Sequence, residues 1–175
     1  MNTIIIDYYE SAAGKLILGS LADKLCLCDW MLETRRITID KRIKNKLKAI
    51  YKIGNSAVIK ETVKELNEYF ERKRTTFDIP LLFSGTEFQN KVWKELLEIP
   101  YGDKIPYIEL ARRIGNTKAS RAVAGANGAN PISILIPCHR VIGSNNKLVG
   151  YGGGLKAKQI LLDIEERNKE SYILL

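Results

Sequence analysis

The residues best suited to do chemistry are adjacent: Cys138 precedes His139, the one histidine of the chain, and Arg140 follows. A nearby base or cation lowers the pKa of a thiol from about 8.5 and makes it a good nucleophile. His139 supplies a base and Arg140 a cation. Because sequence neighbours need not face each other, a water molecule can bridge the thiol and the imidazole. We interpret Cys138 as the reaction centre.

The imidazole also needs a carboxylate that fixes its tautomer. Acidic residues are scarce near the cysteine, since residues 99–158 contain only Asp103 and Glu109. The partner is therefore expected in the last predicted helix, which runs from Leu155 to about Arg167. The candidates are Asp163, Glu165 and Glu166.

Two segments of distinct composition flank the cysteine. Residues 132–136 form a short apolar run that predicts a buried strand, after Asn130-Pro131 has ended the preceding helix. Residues 150–154 are rich in glycine but lack the Lys-Ser/Thr ending of a phosphate-binding loop. We expect this segment to form a wall around the cysteine, with Tyr151 as an aromatic stacking surface.

Two short helices joined by a tight turn are predicted upstream, in a helix-turn-helix pattern. The first spans Tyr107 to Ile114 and stops at Gly115-Asn116, and the second spans about Lys118 to Asn127. In the second helix Arg121 is a long cation among Ala, Gly and Ser. Because glycine weakens a helix by about 1 kcal/mol relative to alanine, the small residues serve either close approach of the backbone to another molecule or tight helix packing. The sequence leaves both readings open.

The first half of the chain is rich in predicted strands. These strands cover residues 3–9, 15–20 and 25–30, and an amphipathic helix follows over residues 57–72. Cys26, Cys28 and Trp30 are expected on one face of the third strand, because side chains alternate along a strand. Residues 31–55 are interpreted as an irregular, partly mobile basic connection.

A break in the pattern at residues 77–85 predicts a boundary. Thr86 and Gln89 then fit a capping box, which opens a helix that runs to about Ile99. We predict an α/β domain over residues 1–80 and a mainly helical domain over residues 84–170.

Positive charge is segregated along the chain, whose formal net charge is +8. Residues 99–158 contain nine Lys or Arg against two acids, and residues 35–52 contain eight against Asp40 alone. Such segregation favours a polyanionic partner. For residues 35–52 a solvated surface is the simpler interpretation.

Composition excludes several other classes. With 175 residues, 45% of them hydrophobic, the chain can bury a core, and no stretch approaches the roughly 20 apolar residues of a membrane span. Three cysteines argue against a disulfide framework. The first residues lack the pattern of a signal peptide. We expect a protein of the cytoplasm, or of the nucleus in a eukaryote, without membrane association.

Residues 88–165 resemble the O6-alkylguanine-DNA alkyltransferases, repair proteins that remove alkyl groups from guanine. The resemblance covers about half of the chain, and the first half matches only in its general plan. The matching motifs are Val92-Trp93, Ile99-Pro100-Tyr101-Gly102, Arg121-Ala122-Val123, Asn130-Pro131, Ile136-Pro137-Cys138-His139-Arg140-Val141-Ile142, Gly150-Tyr151, Gly153-Gly154-Leu155, Leu161-Leu162 and Glu165. The implied α+β fold joins an N-terminal α/β, ribonuclease H-like domain with a small sheet to a mainly helical domain of winged helix-turn-helix type.

The resemblance also implies roles for individual residues. Cys138 accepts the alkyl group, His139 acts on its thiol through a water, Glu165 orients His139, and Asn130 braces the active-site turn. The implied substrate pocket contains Ser133, Val141, Tyr151 and Gly152. The implied DNA-binding residues are Tyr107, Lys118, Ser120, Arg121 and Ala122. Tyr107 crowds a phosphate and helps to rotate the nucleotide, whereas Arg121 enters the duplex in place of the extruded base.

The implied function is direct reversal of DNA damage. The alkyl group passes once and irreversibly from O6-alkylguanine, and from O4-alkylthymine, to Cys138. The damaged nucleotide is first flipped out of double-stranded DNA, because the alkyl carbon on its O6 atom is unreachable for the sulfur inside a duplex. A minor groove about 6 Å wide suits a helix of small residues. No cofactor is expected, and the protein is expected to be a monomer.

The chain departs from the family pattern in three places. Pro106 stands where a serine is common. Gly150 and Gly152 replace bulkier residues, which predicts a wider pocket that accepts larger alkyl groups. Some relatives bind zinc through Cys and His, but here His139 is committed to the active site, so Cys26 and Cys28 are interpreted as structural and no metal is expected.

Two other function classes compete with this interpretation. A DNA-binding protein without chemistry would carry another residue at position 138. A Cys-His hydrolase would need neither the helix of small residues nor Arg121. Alkylation of Cys138 by damaged DNA would support the alkyltransferase, and its absence would leave the other two classes.

Overall fold

The computed structural model describes residues 1–173, and their side chains up to residue 168. The first half contains four strands and two helices. These are β1 (Asn2–Ser11), β2 (Gly14–Leu21), β3 (Lys24–Trp30), α1 (Glu33–Leu47), β4 (Ala49–Ile53) and α2 (Ala57–Phe70). The sheet has the order β3-β2-β1-β4, in which β4 pairs parallel to β1 and the other pairs are antiparallel.

Residues 31–55 are regular, so the expectation of an irregular connection is wrong. α1 buries Arg36, Ile39 and Ile43 on one face, and β4 then completes the sheet. The periodicity was hard to detect because only two isoleucines mark the buried stripe and an arginine fills its third position. Lys48 ends α1 in the left-handed region, with φ 49°.

The cysteines of β3 do not share one face, contrary to expectation. A bulge opposite Gly19/Ser20 leaves Cys26 without a paired residue and reverses the alternation. Cys26 consequently packs in a small cluster under α1, whereas Cys28 packs in the main core. Both thiols are buried and free.

The second half is mainly helical. Its elements are α3 (Glu87–Leu96), β5 (Ile105–Pro106), α4 (Tyr107–Arg113), α5 (Ser120–Gly128), β6 (Val141–Ile142) and α6 (Leu155–Ile173). The capping box at Thr86 and Gln89 is present. Gly115 ends α4 with φ 86°, a conformation that favours glycine. No helix among residues 1–173 is long and apolar enough to cross a membrane.

The apolar segment before Cys138 is a buried turn, so the predicted strand over residues 132–136 is wrong. Ile134 adopts φ 73°, which reverses the chain and lets Ile136 N–H donate to the Ile132 carbonyl at 3.0 Å. The turn lies against β3: Cys28 N–H donates to Pro131 O at 2.9 Å, and Ser133 N–H donates to Cys28 O at 2.7 Å. The segment is as apolar as a buried strand, but it forms only isolated bridges and no continuous ladder of hydrogen bonds.

One apolar core extends through both halves of the chain. It joins Leu16 and Tyr69 of the first half to Trp93, Val123 and Leu161 of the second. Trp93 anchors the helical side, because its Nε1–H donates to Ala126 O of α5 at 2.8 Å. The shared core fixes α5 and the cysteine segment against the sheet.

Candidate active site

Cys138 opens a single 3-10 turn, Cys138–Arg140, and is 4% exposed. Its side chain lies at a cavity of about 410 Å³ between the two halves of the chain. Residues from both halves line this cavity, including Arg35, Tyr107, Asn127, Ser133, Tyr151 and Gly152. The arrangement leaves a cavity of small-molecule size beside a largely buried sulfur.

The imidazole of His139 is oriented by Glu165, the one of the three candidate acids that reaches it. His139 Nε2 lies 2.7 Å from Glu165 Oε1, and both side chains are buried. His139 Nδ1 is also buried and has no hydrogen-bond partner. Burial lowers the pKa of His139, although Glu165 opposes that shift. A neutral imidazole that donates from Nε2 keeps its Nδ1 lone pair free to accept a proton.

Glu165 is held in its ionised form by several donors. Burial alone would raise its pKa, but His139 and Arg140 together lower it well below the ordinary value. Arg140 donates from Nε to Oε2 at 2.9 Å and from Nη2 to Oε1 at 3.0 Å. Tyr69 Oη–H of α2 donates to Oε1 at 2.9 Å, and Gly102 N–H donates to Oε2 at 3.2 Å. The carboxylate is therefore immobile as well as charged.

The thiol of Cys138 is neutral at rest. Burial raises its pKa, while Asn130, Arg35 and Lys158 each lower it in part. Asn130 also braces the turn: its Nδ2 donates to Ile136 O at 2.9 Å, and its Oδ1 accepts from Ile132 N–H at 3.0 Å. One amide thus holds both ends of the turn that delivers the cysteine.

The predicted pocket residues are only partly brought together. Ser133, Tyr151 and Gly152 line the cavity, but Val141 does not. Val141 is buried in β6, where it pairs with Ile105, and its carbonyl accepts from Lys158 Nζ at 2.6 Å. Tyr151 stacks edge-on against Trp30, with 5.9 Å between ring centroids. Its aromatic ring is therefore fixed at the cavity wall.

Gly152 does not leave empty space, which corrects the prediction of a wider pocket at this position. A Cβ atom built there would lie 2.4 Å from Cζ of Arg35. Arg35 fills that space and donates from Nη1 to Gly128 O and from Nη2 to Asn130 O, both at 2.8 Å. At Gly150 an added Cβ would meet nothing within 4 Å, but the backbone has φ 52°.

Three of the predicted DNA-binding residues lie on one exposed helical turn. Lys118, Arg121 and Ala122 are exposed, and Ser120 is half-buried beside them. Tyr107 stands apart from this group at the first position of α4, where it lines the cavity. Burial raises the pKa of Tyr107, so its hydroxyl is protonated and able to donate.

The small residues of α5 divide into two sets. Val123 and Ala126 are buried against the core, whereas Gly125 and Gly128 are exposed and an added Cβ at either would meet nothing within 4 Å. Helix packing therefore does not explain these two glycines. Their position favours the reading in which the backbone approaches another molecule.

Two cations counted with the basic surface are internal. Arg140 is bonded to Glu165 and to Ile99 O, and Lys158 is fully buried with its Nζ on Val141 O. Burial lowers the pKa of Lys158. Neither side chain is available to a polyanion, so the surface charge of residues 99–158 is smaller than the sequence suggests.

Sequence reasoning missed several residues that build the site. Asp29, at the end of β3, is fully buried and accepts from Arg35 Nε at 2.8 Å, from Arg36 and from Ser133 Oγ at 3.2 Å. Asn127 lines the cavity with an Oδ1 that lacks a partner. The one sequence signal for these residues is Asp29 itself, an acid inside an apolar strand. A buried charge needs partners, so such an acid indicates a polar cluster in the core.

The fold and the site together define a class: a helix-turn-helix protein in which a strand-rich half and a helical half enclose a buried, free cysteine. Comparison with known proteins narrows this class. Residues 87–167 match the DNA binding domain of 6-O-methylguanine DNA methyltransferase, and residues 4–83 match the ribonuclease-like domain of the same family. The chain belongs to the methylated-DNA–protein-cysteine methyltransferase family.

Full-length relatives support this assignment. The methylated-DNA–protein-cysteine methyltransferase of Methanosarcina barkeri is 43% identical over 162 residues, which cover 93% of this chain and 97% of the relative. That of Mycobacterium leprae is 41% identical, covering 90% of this chain and 89% of the relative. The predicted family and enzyme class are confirmed.

Solved structures agree with the fold. The Mycobacterium tuberculosis O6-methylguanine methyltransferase superposes with a TM-score of 0.79 at 38% identity, covering 94% of both chains. A structure of the same enzyme in complex with DNA superposes equally well, with TM-score 0.79 and 38% identity over 95% of this chain and 94% of the other. The predicted α+β fold class, with a strand-rich first half and a helical second half, is confirmed.

Proposed function

We propose that this protein repairs double-stranded DNA by moving the alkyl group of O6-alkylguanine, and of O4-alkylthymine, onto Cys138 Sγ. The observation that carries the proposal is the free Nδ1 of His139, one residue from the cysteine, on a ring whose Nε2 is held by ionised Glu165. Family membership supports methyl transfer to a cysteine as the chemistry. The transfer is stoichiometric, because none of the described residues that line the cavity would cleave the thioether.

The transfer balances with the groups present. The Cys138 proton passes through a water to His139 Nδ1, and the imidazolium is stabilised by Glu165 Oε1. The sulfur lone pair then forms a bond to the alkyl carbon as the carbon–oxygen bond breaks. The released guanine takes the electron pair and recovers a proton from the imidazolium. Glu165 stays ionised throughout, as its two arginine bonds require.

The base reaches the sulfur by leaving the duplex. The exposed glycines of α5 allow the helix to approach the floor of a minor groove about 6 Å wide, and Arg121 fills the space that the extruded base vacates. Unstacking costs a few kcal/mol, which such an insertion offsets. Tyr107 lines the cavity together with Ala124, Asn127 and Gly128 of this helix, and from there it crowds the rotating nucleotide.

The cavity wall supplies recognition of the extruded base. Tyr151 presents an aromatic face, and Asn127 Oδ1 offers an unused acceptor. A purine with an exocyclic amino group satisfies that acceptor, which a purely apolar ligand leaves unpaired. The Ser133 hydroxyl donates a hydrogen bond to Asp29, which keeps this part of the cavity wall rigid.

One experiment tests the proposal. The protein is incubated with a duplex that carries one O6-methylguanine, digested and weighed, with Cys138→Ser as the control. We expect one methyl group on the peptide that contains Cys138, at most one per protein, and none in the variant. Binding without mass gain would support the non-catalytic DNA-binding protein. Absence of both binding and mass gain would leave the hydrolase. A separate measurement of the molar mass in solution tests the expectation that the protein is a monomer.

A further inference from the structure

A groove of about 470 Å³ runs between α1 and the C-terminal end of α5. Thr34, Thr38 and Arg42 of α1 form one wall, and Gly128 with Ala129 forms the other. The groove shares Arg35, Gly128 and Gly152 with the cysteine cavity, so the two depressions adjoin. None of the roles assigned above uses it.

The charges on the α1 wall do not balance. Arg35 pairs with Asp29, and Arg36 pairs with both Asp29 and Asp40. Arg42 makes no ion pair among the side chains of residues 1–168. Three guanidinium groups therefore share two carboxylates, and the one left over faces the groove.

Arg42 is also short of hydrogen bonds. Its Nη2 donates to Ala129 O at 2.5 Å and its guanidinium lies over the Trp93 ring, 5.8 Å from the centroid, but its buried Nε has no partner. Burial lowers the pKa of Arg42, and neighbouring Arg35 adds to the effect. Partial burial removes hydration from the Arg42 guanidinium, and no carboxylate of the described residues pairs with it. An anion from outside the protein would supply the missing counter-ion.

We propose that this groove binds a phosphodiester of the damaged DNA strand, with Arg42 as the cation that pairs with it. The inference rests on the proposed function, because an extruded base remains joined to its sugar and phosphates. When the base occupies the cavity, those phosphates lie at its rim, where the groove begins. Thr34 and Thr38 place polar groups on the same wall. On this proposal the first part of the basic run 35–52 contacts DNA, and it is more than a solvated surface.

The test is equilibrium binding of a duplex that carries one O6-methylguanine, measured by fluorescence anisotropy at several salt concentrations. Each phosphate contact contributes about 0.9 to the slope of log affinity against log salt. We expect Arg42→Gln to weaken binding about fivefold near 0.1 M salt and to reduce the slope by about 0.9. Arg42→Lys keeps the charge and should keep the slope. Lys46→Gln removes the same charge from an exposed part of α1 outside the groove and serves as the control.

A second pair of variants covers the case in which Arg42→Gln folds poorly. Thr38 is exposed and precedes Arg42 by one helical turn. Thr38→Glu supplies Arg42 with an internal counter-ion and repels phosphate, whereas Thr38→Gln has similar size without charge. We expect only the glutamate variant to lose affinity. Equal affinities and slopes for Arg42→Gln and Lys46→Gln, or for the two Thr38 variants, overturn the proposal.

The two proposals fail in different ways. Binding that depends on Arg42, without mass gain at Cys138, refutes the repair reaction and leaves the groove standing. Mass gain at Cys138 with affinity independent of Arg42 and of position 38 refutes the groove alone. A protein that binds no DNA refutes the phosphate site directly.

Discussion

His139 Nε2 lies 2.7 Å from Oε1 of Glu165, and this contact decides which nitrogen of the neutral imidazole carries the proton. An ionised carboxylate accepts but cannot donate, so the proton of the neutral ring resides on Nε2. Nδ1, buried and without a partner, keeps its lone pair. The tautomer that the proposed deprotonation of Cys138 requires is thus set before any substrate arrives.

Glu165→Gln tests this arrangement. The amide removes the counter-charge of buried Arg140 and no longer enforces the Nε2–H tautomer. Because breaking a buried ion pair costs about 3–5 kcal/mol, we expect the free energy of unfolding in urea to fall by that order. Methyl transfer should slow at least tenfold in single-turnover assays. Asp163→Asn, on the same helix with one hydrogen bond to Gln159, is the control. Equal effects of the two variants would show that the carboxylate of Glu165 has no special role.

Stability should decline as the pH falls below about 6.5. The pKa of His139 in the folded protein lies below its ordinary value of 6.5, so the unfolded chain takes up a proton first. Stability is therefore full above that pH and decreases below it, towards the folded pKa. Glu165, whose folded pKa is depressed, adds a second loss as the pH falls below about 4.5. Because His139 is the only histidine, His139→Gln should abolish the first loss in urea titrations at about pH 7.5 and about pH 5.5. An unchanged slope in that variant would contradict the assignment.

Gly125→Leu separates the two readings of the small residues in α5. Nothing lies within 4 Å of an added Cβ at this exposed position, and leucine favours helix by about 0.8 kcal/mol over glycine. We expect thermal stability to hold or rise, while affinity for duplex DNA falls at least tenfold because the side chain blocks close approach. Gln159→Leu, exposed on α6, is the control for added apolar surface. Undiminished DNA binding by Gly125→Leu would argue against insertion of α5 into the groove.

Gly152→Ser should destabilise the protein rather than merely narrow its pocket. The new Cβ would collide with Arg35 and push the guanidinium off Gly128 O and Asn130 O. We expect a loss of about 1–3 kcal/mol of unfolding free energy. Gly128→Ala, where an added Cβ meets nothing within 4 Å, is the comparison and should be neutral or slightly stabilising. An unchanged free energy of unfolding in Gly152→Ser would mean that the Arg35 side chain can move aside without loss of stability.

The pocket's tolerance of large alkyl groups follows from the same contact. Arg35 occupies the space beside Gly152, so of the two glycines predicted to widen the pocket only Gly150 has open space beside it. We expect O6-benzylguanine to react, but more slowly than O6-methylguanine in DNA, and Arg35→Ala to accelerate benzyl transfer relative to methyl transfer. Rates of thioether formation at Cys138 give the comparison. A variant that slows both substrates equally would assign Arg35 a purely structural part.

The features predicted from sequence are those set by short stretches of chain. The capping box at Thr86, the helix pair around Gly115 and the juxtaposition of Cys138 and His139 each depend on residues within one or two turns. Arg35 and Asp29 could not be placed at the site, because the residues that they bond there, Asn130 and Ser133, lie about a hundred residues away along the chain. The strand predicted over residues 132–136 failed for a related reason. Its apolar composition indicates that the segment is buried, but not which conformation it adopts. The left-handed backbone of Ile134 and the hydrogen bonds to β3 make it a turn.

The bonds between Cys28 and the active-site turn have a further consequence. β3 is an outer strand of the sheet, and open strand edges are the surfaces through which chains aggregate. Here Pro131 and Ser133 cover the edge at Cys28, and Pro80 and Leu82 cover it at Leu25. The turn that precedes Cys138 therefore also covers this edge of the sheet. Any event that displaces this turn unseals the edge, so loss of the active geometry and loss of solubility are coupled through the same few backbone bonds.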